Sequence, residues 1–183
     1  MNRAGKILIA HPNLPSTDPF YKSVVYVFED GPDGTQGIIL NKPSEFLVSD
    51  YFKSKGVHIP VQKETIRFGG PIKTNLIVML HSDEWYSQST AYHMSGVALS
   101  CDDFMLQKLA IQDYPKYFRM FVGLAGWAPG QLDAELSGKH PYTSENSWLI
   151  ADADLNIIFE HDTQRQWEKA VQRSSQEMIN SFF

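Results

Sequence analysis

Runs of apolar residues alternate with polar turn formers along the chain, and the runs are short enough to predict many strands. β-Branched and aromatic residues crowd into them, and several runs are apolar on both faces, which is typical of strands in a covered sheet. We predict strands at 6–10, 23–29, 37–41, 76–81, 97–99, 118–125, 147–151 and 155–159. The turn formers at 30–34 make the second and third strands an antiparallel hairpin.

Helical spacing of apolar residues occurs in four places between these strands. The predicted helices are 46–56, a segment from Ser100 to Tyr114, 131–136 and 163–178. Ser100 is the predicted N-cap of the second helix because a serine hydroxyl can accept a hydrogen bond from the first helical turn. The polar and aromatic region 82–95 has no clear period, so we predict a long loop there.

The order of these elements predicts the fold class. Strands and helices alternate without the regularity of βαβ units, so the expected fold is α/β of the mixed α+β kind. We expect a mixed, largely buried β-sheet with helices packed on its faces. No repeat divides the sequence, which favours a single domain over 1–183, with two intertwined lobes as the alternative.

Charge is distributed unevenly between the two halves of the chain. The formal net charge is −5 for 183 residues, and the excess of Asp and Glu falls in the second half. An acidic half repels phosphate backbones, and no DNA-reading helix pattern accompanies the basic residues between Lys53 and Lys73. We therefore expect no direct nucleic acid partner.

Cysteine and histidine usage limits the chemistry further. Cys101 is the only cysteine, so no internal disulfide forms, and a reducing, cytoplasmic location is expected. No apolar run is long enough to span a membrane, and no signal peptide is recognisable at the N-terminus. The six histidines lack metal-ligand spacing, so we expect no metal and no cofactor. The oligomeric state stays open.

Two kinds of candidate residue lie at strand ends or turns. Gly69, Gly70 and Pro71 form a turn that resembles a phosphate-binding loop only superficially, since its spacing fits neither common glycine-rich motif. His11 and His81 each end an apolar strand, where each is either a general base or a hydrogen-bonded structural residue.

The segment 126–135 is the most unusual in the sequence. Gly126 and Gly130 permit backbone bends, and Trp127 offers a large flat ring. Gln131 and Glu135 add polar groups near the start of the predicted helix. The segment is either a binding surface or a structural corner in which Trp127 fills the core.

Short motifs spread over nearly the full length of the chain occur in a recognisable order. They lie at 8–12, 18–20, 23–27, 37–43, 69–71, 80–81, 123–127, 130–135, 148–149 and 154–159, followed by Trp167. Together they resemble the AlgH/YqgE family of bacterial proteins. The resemblance implies a mixed sheet with flanking helices. It implies no established biochemical activity, although one member's name associates it with regulation of alginate synthesis.

Three hypotheses for function follow. The leading one is a cytoplasmic, non-enzymatic regulatory or binding protein with a pocket near Pro71, His81 and Trp127 for a small anionic ligand or a protein partner. The alternative is a hydrolase or transferase of unknown substrate with His11 or His81 as the base. Its acidic partner would be Asp18, Asp133 or Glu135. The third, a direct transcriptional regulator, conflicts with the acidic charge.

Overall fold

Strands of this protein pair into one continuous sheet. The computed structural model describes residues 2–57, 59, 64–94, 96–138 and 147–182. The strands are β1 Lys6–Ala10, β2 Val24–Gly31, β3 Gly34–Ile39, β4 Arg67–Phe68, β5 Ile72–His81, β6 Ala91–Met94, β7 Val97–Ser100, β8 Phe118–Trp127 and β9 Trp148–Asp152. The helices are α1 Val48–Ser54, α2 Asp103–Ala110, α3 Gln131–Leu136, α4 Leu155–Ile158 and α5 Thr163–Asn180. The chain therefore has the mixed α+β composition that the sequence predicts.

The strand order is β6-β7-β5-β8-β3-β2-β1-β9, and β4 pairs with β8 beside this path. Every pairing along the path is antiparallel, whereas β4 and β8 run parallel. The predicted hairpin is confirmed, because β2 and β3 pair from Val25 opposite Ile39 to Gly31 opposite Gly34. The strand β8 is central, since it contacts β3, β4 and β5.

Alternation along the strands divides the buried side chains between the two faces of the sheet. In β1, Ile7 and Ile9 join a cluster that also contains Ile158 of α4 and Ala170 of α5. Leu8 belongs to a second cluster with Trp127, Leu132 of α3 and Trp148. A third cluster places Met79 and Met120 against Phe52 of α1 and Met105 of α2.

Three glycines allow the backbone at 69–70 to pack directly against the backbone of β8. Gly70 has φ +146° and Gly123 has φ +75°, and a Cβ atom at either position would collide with the backbone of the other segment. The Gly69 amide donates to the Val122 carbonyl at 2.8 Å. The paired glycines at 69 and 70 thus serve close backbone packing, since a Cβ atom at Gly69 would also collide with the Gly123 carbonyl.

The strand prediction at 155–159 is wrong, because Leu155–Ile158 form the short helix α4. The Asp154 carboxylate accepts from the Ile157 amide at 2.9 Å and so caps this helix. Ile157 and Ile158 are buried in the first cluster. An apolar run of five residues fits a buried strand and a buried helical turn equally well, and the cap decides between them.

Two further predictions about the middle of the chain are wrong. The predicted loop 82–95 contains β6, whose Ala91 pairs with Leu99 at the edge of the sheet. The N-cap of α2 is Asp102, whose side chain accepts from the Met105 amide at 2.8 Å. Ser100 instead ends β7 and is fully buried. Among the described residues, no helix is both long and apolar enough to cross a membrane.

Candidate functional site

The segment 126–135 forms a corner of indole rings around one carboxylate. Glu135 Oε2 accepts from Trp127 Nε1 at 3.0 Å and from Trp148 Nε1 at 2.8 Å. Its other oxygen accepts from Gln131 Nε2 at 2.9 Å. The two indole rings meet edge to face at 5.9 Å, and Phe20 packs against both. Trp127 is buried, and the predicted polar groups are used within the corner.

One side of this corner borders an open cavity of about 350 Å³. Lys73 and Ile72 line it together with Gly126 and Trp127. The Ile72 side chain lies against Gly126, where a Cβ atom would collide with it. The structure thus brings the residues that follow Gly69, Gly70 and Pro71 next to Gly126 and Trp127. Gly130, which adopts a left-handed conformation at φ +76°, is the N-cap residue just before α3.

His81 lies in a buried chain of hydrogen bonds at the other end of β5. Its Nδ1 must donate to the Ser82 carbonyl at 2.9 Å, so its Nε2 accepts from the Ser100 hydroxyl at 2.9 Å. The chain continues to Thr90, whose Oγ1 lies 2.7 Å from Ser100 Oγ. Burial is the main cause that lowers the pKa of His81. This neutral, fully buried histidine has the contacts of a structural residue.

His11 has a different environment at the end of β1. Its Nδ1 accepts from the Asn13 amide at 3.2 Å, and its own amide donates to the Ser147 carbonyl. The carboxylates that we considered as its partners are engaged elsewhere: Asp18 binds the Phe20 amide, Asp133 binds Arg3, and Glu135 binds the indoles.

His81 and Trp127 lie at opposite ends of the same strand pair. His81 is opposite Phe118 at the start of β8, whereas Trp127 is the last residue of that strand. The two positions are nine residues apart along β8, which corresponds to roughly 30 Å. The structure therefore does not bring His81 into a common pocket with Gly126 and Trp127.

Sequence reasoning missed a polar cavity that two arginines line. The cavity has a volume of about 290 Å³ and is lined by Glu64, Thr65, Arg67, Arg119 and His161. In the parallel pair, Arg67 is opposite Phe121, and Arg119 precedes Phe121 by two residues on β8. The register therefore puts both arginines on the same face of the sheet. Both are about 5–6% exposed.

Both guanidiniums hold the connection between α4 and α5. Arg67 donates to the carbonyls of Glu160 and His161 at 3.1 Å each. Arg119 donates to the Phe159 carbonyl at 3.2 Å and to His161 Nδ1 at 2.8 Å. Since an arginine only donates, His161 Nδ1 is the acceptor, and the neutral ring carries its proton on Nε2. The exposed His161 ring therefore adds a donor at the cavity.

Among the described residues, a single carboxylate contacts the two positively charged guanidiniums. Glu64 binds Arg119, with its two oxygens 3.0 and 3.2 Å from one guanidinium nitrogen. Arg67 forms no salt bridge within the described parts of the chain; its other partners are the Leu40 carbonyl and the Gln166 amide oxygen. Burial, together with the like charge of Arg119, lowers the pKa of Arg67 to about 10. The Arg67 guanidinium therefore stays protonated at neutral pH.

A simple sequence signal marks these two residues. Each arginine interrupts an apolar strand, Arg67 between Ile66 and Phe68 and Arg119 between Phe118 and Met120. A charge at such a position must be buried with partners or must line a cavity. The β4–β8 register brings the two arginines together. Because they are about fifty residues apart in the sequence, local patterns do not reveal that register.

The geometry of the described residues supports neither a metal site nor a reactive cysteine. No group of three His, Cys, Asp or Glu side chains there has an arrangement that could hold a metal ion. Cys101 is exposed and precedes the Asp102 cap, and its amide donates to Ser89 Oγ at 2.9 Å.

The fold and the site define a mixed α+β protein whose described residues form one nine-stranded sheet, with a diarginine cavity beside the start of β8. The model of the AlgH-like family, DUF179, matches residues 7–179. The chain belongs to the AlgH-like family, which confirms the resemblance seen in its motifs.

Relatives and solved structures agree with this assignment. A UPF0301 protein of Methylococcus capsulatus is 32% identical, covering 93% of this chain and 91% of that protein. A UPF0301 protein of Ruegeria pomeroyi is also 32% identical, with the same coverage. The solution structure of AlgH from Pseudomonas aeruginosa matches with a TM-score of 0.77 and 29% identity, covering 94% of this chain and 89% of that one. Protein DIP2367 of Corynebacterium diphtheriae, 22% identical with a TM-score of 0.72, shares the fold.

Proposed function

We propose that this protein is a non-enzymatic binding protein for small anions and that the cavity at Arg67 and Arg119 is its binding site. The observation that carries the proposal is the pair of buried guanidiniums beside one open cavity, with Glu64 as the carboxylate in contact. Buried like charges raise the free energy of the folded state, and a bound anion lowers it. The regulatory role and cytoplasmic location expected from the sequence are part of this proposal.

Glu64 supports the proposal in a second way. It is a carboxylate that already contacts Arg119, and its side chain is 32% exposed. A carboxylate or phosphate from solution presents the same kind of oxygen and can replace it. Thr65 and the Nε2 donor of His161 add neutral polar groups on the cavity wall. This set of donors favours anions over cations or apolar ligands.

The test is a titration with inorganic phosphate, followed by calorimetry and by backbone amide NMR at low ionic strength. We expect saturable binding, with shifts concentrated around Thr65, Arg119 and His161. Arg119→Gln should weaken binding about tenfold or more, since a charge-assisted hydrogen bond is lost. Arg165→Gln is the matched control, because it removes one exposed positive charge from α5; it should leave the affinity unchanged.

Two milder variants guard against misfolding of Arg119→Gln. Thr65→Val keeps the side-chain shape, and Glu64→Gln removes the competing carboxylate. We expect weaker phosphate binding for Thr65→Val and tighter binding for Glu64→Gln. Binding that does not saturate, or that weakens equally in Arg165→Gln, would overturn the proposal.

A further inference from the structure

A second cavity shares His161 with the first. It has a volume of about 360 Å³ and is lined by Tyr117, Leu155, Asn156, Phe159, Glu160, His161 and Lys169. His161 belongs to the walls of both cavities. Glu160 also connects them, because its carbonyl accepts from Arg67 and the residue lines the second cavity. A ligand anchored at the arginines can therefore extend past His161 into this space.

An aromatic surface distinguishes the second cavity from the first. The Tyr117 ring stacks on Phe159 with centroids 5.9 Å apart and planes at 29°. Phe159 is buried, whereas Tyr117 is 47% exposed. Lys116 Nζ also lies over the Tyr117 ring, 5.3 Å from its centroid. The exposed part of a ring that is supported by Phe159 is suited to stack on a flat ring of a ligand.

Polar groups around this surface can read the edge of such a ring. Asn156 is exposed, and its side chain has no hydrogen bond within the described residues, so it offers both a donor and an acceptor. Lys169 is less available because it forms a salt bridge with Glu160. The wall thus offers an aromatic face and an amide beside the cationic cavity.

The two subsites are close together in the chain. Tyr117 lies at the bend just before β8, two residues ahead of Arg119. Arg119 also donates to the Phe159 carbonyl, which fixes the supporting ring relative to the guanidinium.

Building on the anion site proposed above, we propose that the ligand is an anion attached to a flat, hydrogen-bonding ring, of the nucleoside monophosphate class. Its phosphate lies between Arg67 and Arg119, and its ring lies against the exposed part of the Tyr117 ring. Asn156 contacts the edge of the ring. The carboxylates of Glu64 and Glu160 oppose a high ligand charge, which favours a monophosphate over a triphosphate.

The experiment compares inorganic phosphate, ribose 5-phosphate, adenosine and the monophosphates of adenosine, guanosine and uridine by calorimetry on the full chain. We expect at least one nucleoside monophosphate to bind about tenfold or more tightly than ribose 5-phosphate, which is the gain expected from one stacked base. Tyr117→Ala should remove that gain and leave the affinity for ribose 5-phosphate unchanged. Tyr92→Ala, which removes another exposed tyrosine, is the control and should behave like wild type.

The outcomes separate this inference from the proposed function. If ribose 5-phosphate and all three nucleotides bind equally, or if Tyr117→Ala has no effect, the nucleotide inference is overturned and the anion site stands. If no phosphate compound binds, both proposals are overturned. If adenosine binds as tightly as its monophosphate, the phosphate does not lie between the arginines, and this inference is again overturned.

Discussion

The two ends of β8 carry two polar clusters that differ in charge balance. At its end, the Glu135 carboxylate accepts from Trp127, Trp148 and Gln131, so one negative group has three neutral donors around it. Near its start, Arg119 lies beside Arg67 with a single carboxylate in contact. A cluster whose donors and acceptors match is complete by itself, whereas an excess of one charge beside an open cavity favours a ligand of the opposite charge.

The chain from His81 through Ser100 to Thr90 is similar to the tryptophan corner. Each atom in it has a partner of the right kind, and His81 and Ser100 are fully buried. Polar residue types alone thus do not distinguish a site from architecture. Charge balance and access to solvent do.

The largest effect that tests this comparison is expected for Trp127→Ala. Trp127 is 6% exposed and packs against Phe20 and Trp148, so its loss leaves a cavity in the second cluster. We expect the free energy of unfolding to fall by about 3–5 kcal/mol in denaturant melts. Phe46→Ala, which truncates an exposed ring, should change it by less than about 0.5 kcal/mol. A loss below about 1 kcal/mol for Trp127→Ala would contradict the structural role of the corner.

Replacing the glutamate of each cluster by glutamine should have a smaller effect on the free energy of unfolding. Glu135→Gln replaces an acceptor with a donor among three donors, so it should lower the free energy of unfolding by about 1–2 kcal/mol. Glu64→Gln removes a partly exposed ion pair and should cost less than about 1 kcal/mol. Urea melts of the two variants measure the difference. Equal losses would remove the distinction between the clusters.

The smallest effect is a pH dependence from His81. Its pKa is lowered in the folded state, chiefly by burial, so the unfolded state binds more protons as the pH falls below about 6.5. The free energy of unfolding should therefore fall with decreasing pH, by at most about 1.4 kcal/mol per pH unit for this one group. His81→Gln should flatten that slope between about pH 6.5 and 5.

His93 is the control for this measurement, since burial also lowers its pKa. His93→Gln should leave the contribution of His81 in place. Asp102, whose pKa is lowered to about 2, loses its contribution only at more acidic pH, because its stabilisation disappears as the pH falls below the ordinary pKa of an aspartate. An unchanged slope in His81→Gln would show that His81 is not buried in its neutral form.

Much of the fold follows from local sequence pattern. The hairpin of β2 and β3, the strand β8 and the helix α5 all lie close to their predicted positions, because period, turn formers and apolar runs act over a few residues. The prediction failed where local preferences were nearly balanced. The segment after Asp154 became a helix through its cap, and β6 exists because it pairs with β7 at the sheet edge.

By itself, the sequence determined the family, the mixed α+β class and the segment around Trp127 as unusual. Only the tertiary structure decided that Glu135 joins Trp127 to Trp148 and that Arg67 and Arg119 share one cavity. The physical reason is the range of the interactions. A local pattern determines which residues are apolar or charged, but strand register determines which distant charges become neighbours, and the balance between them exists only once the sheet has formed.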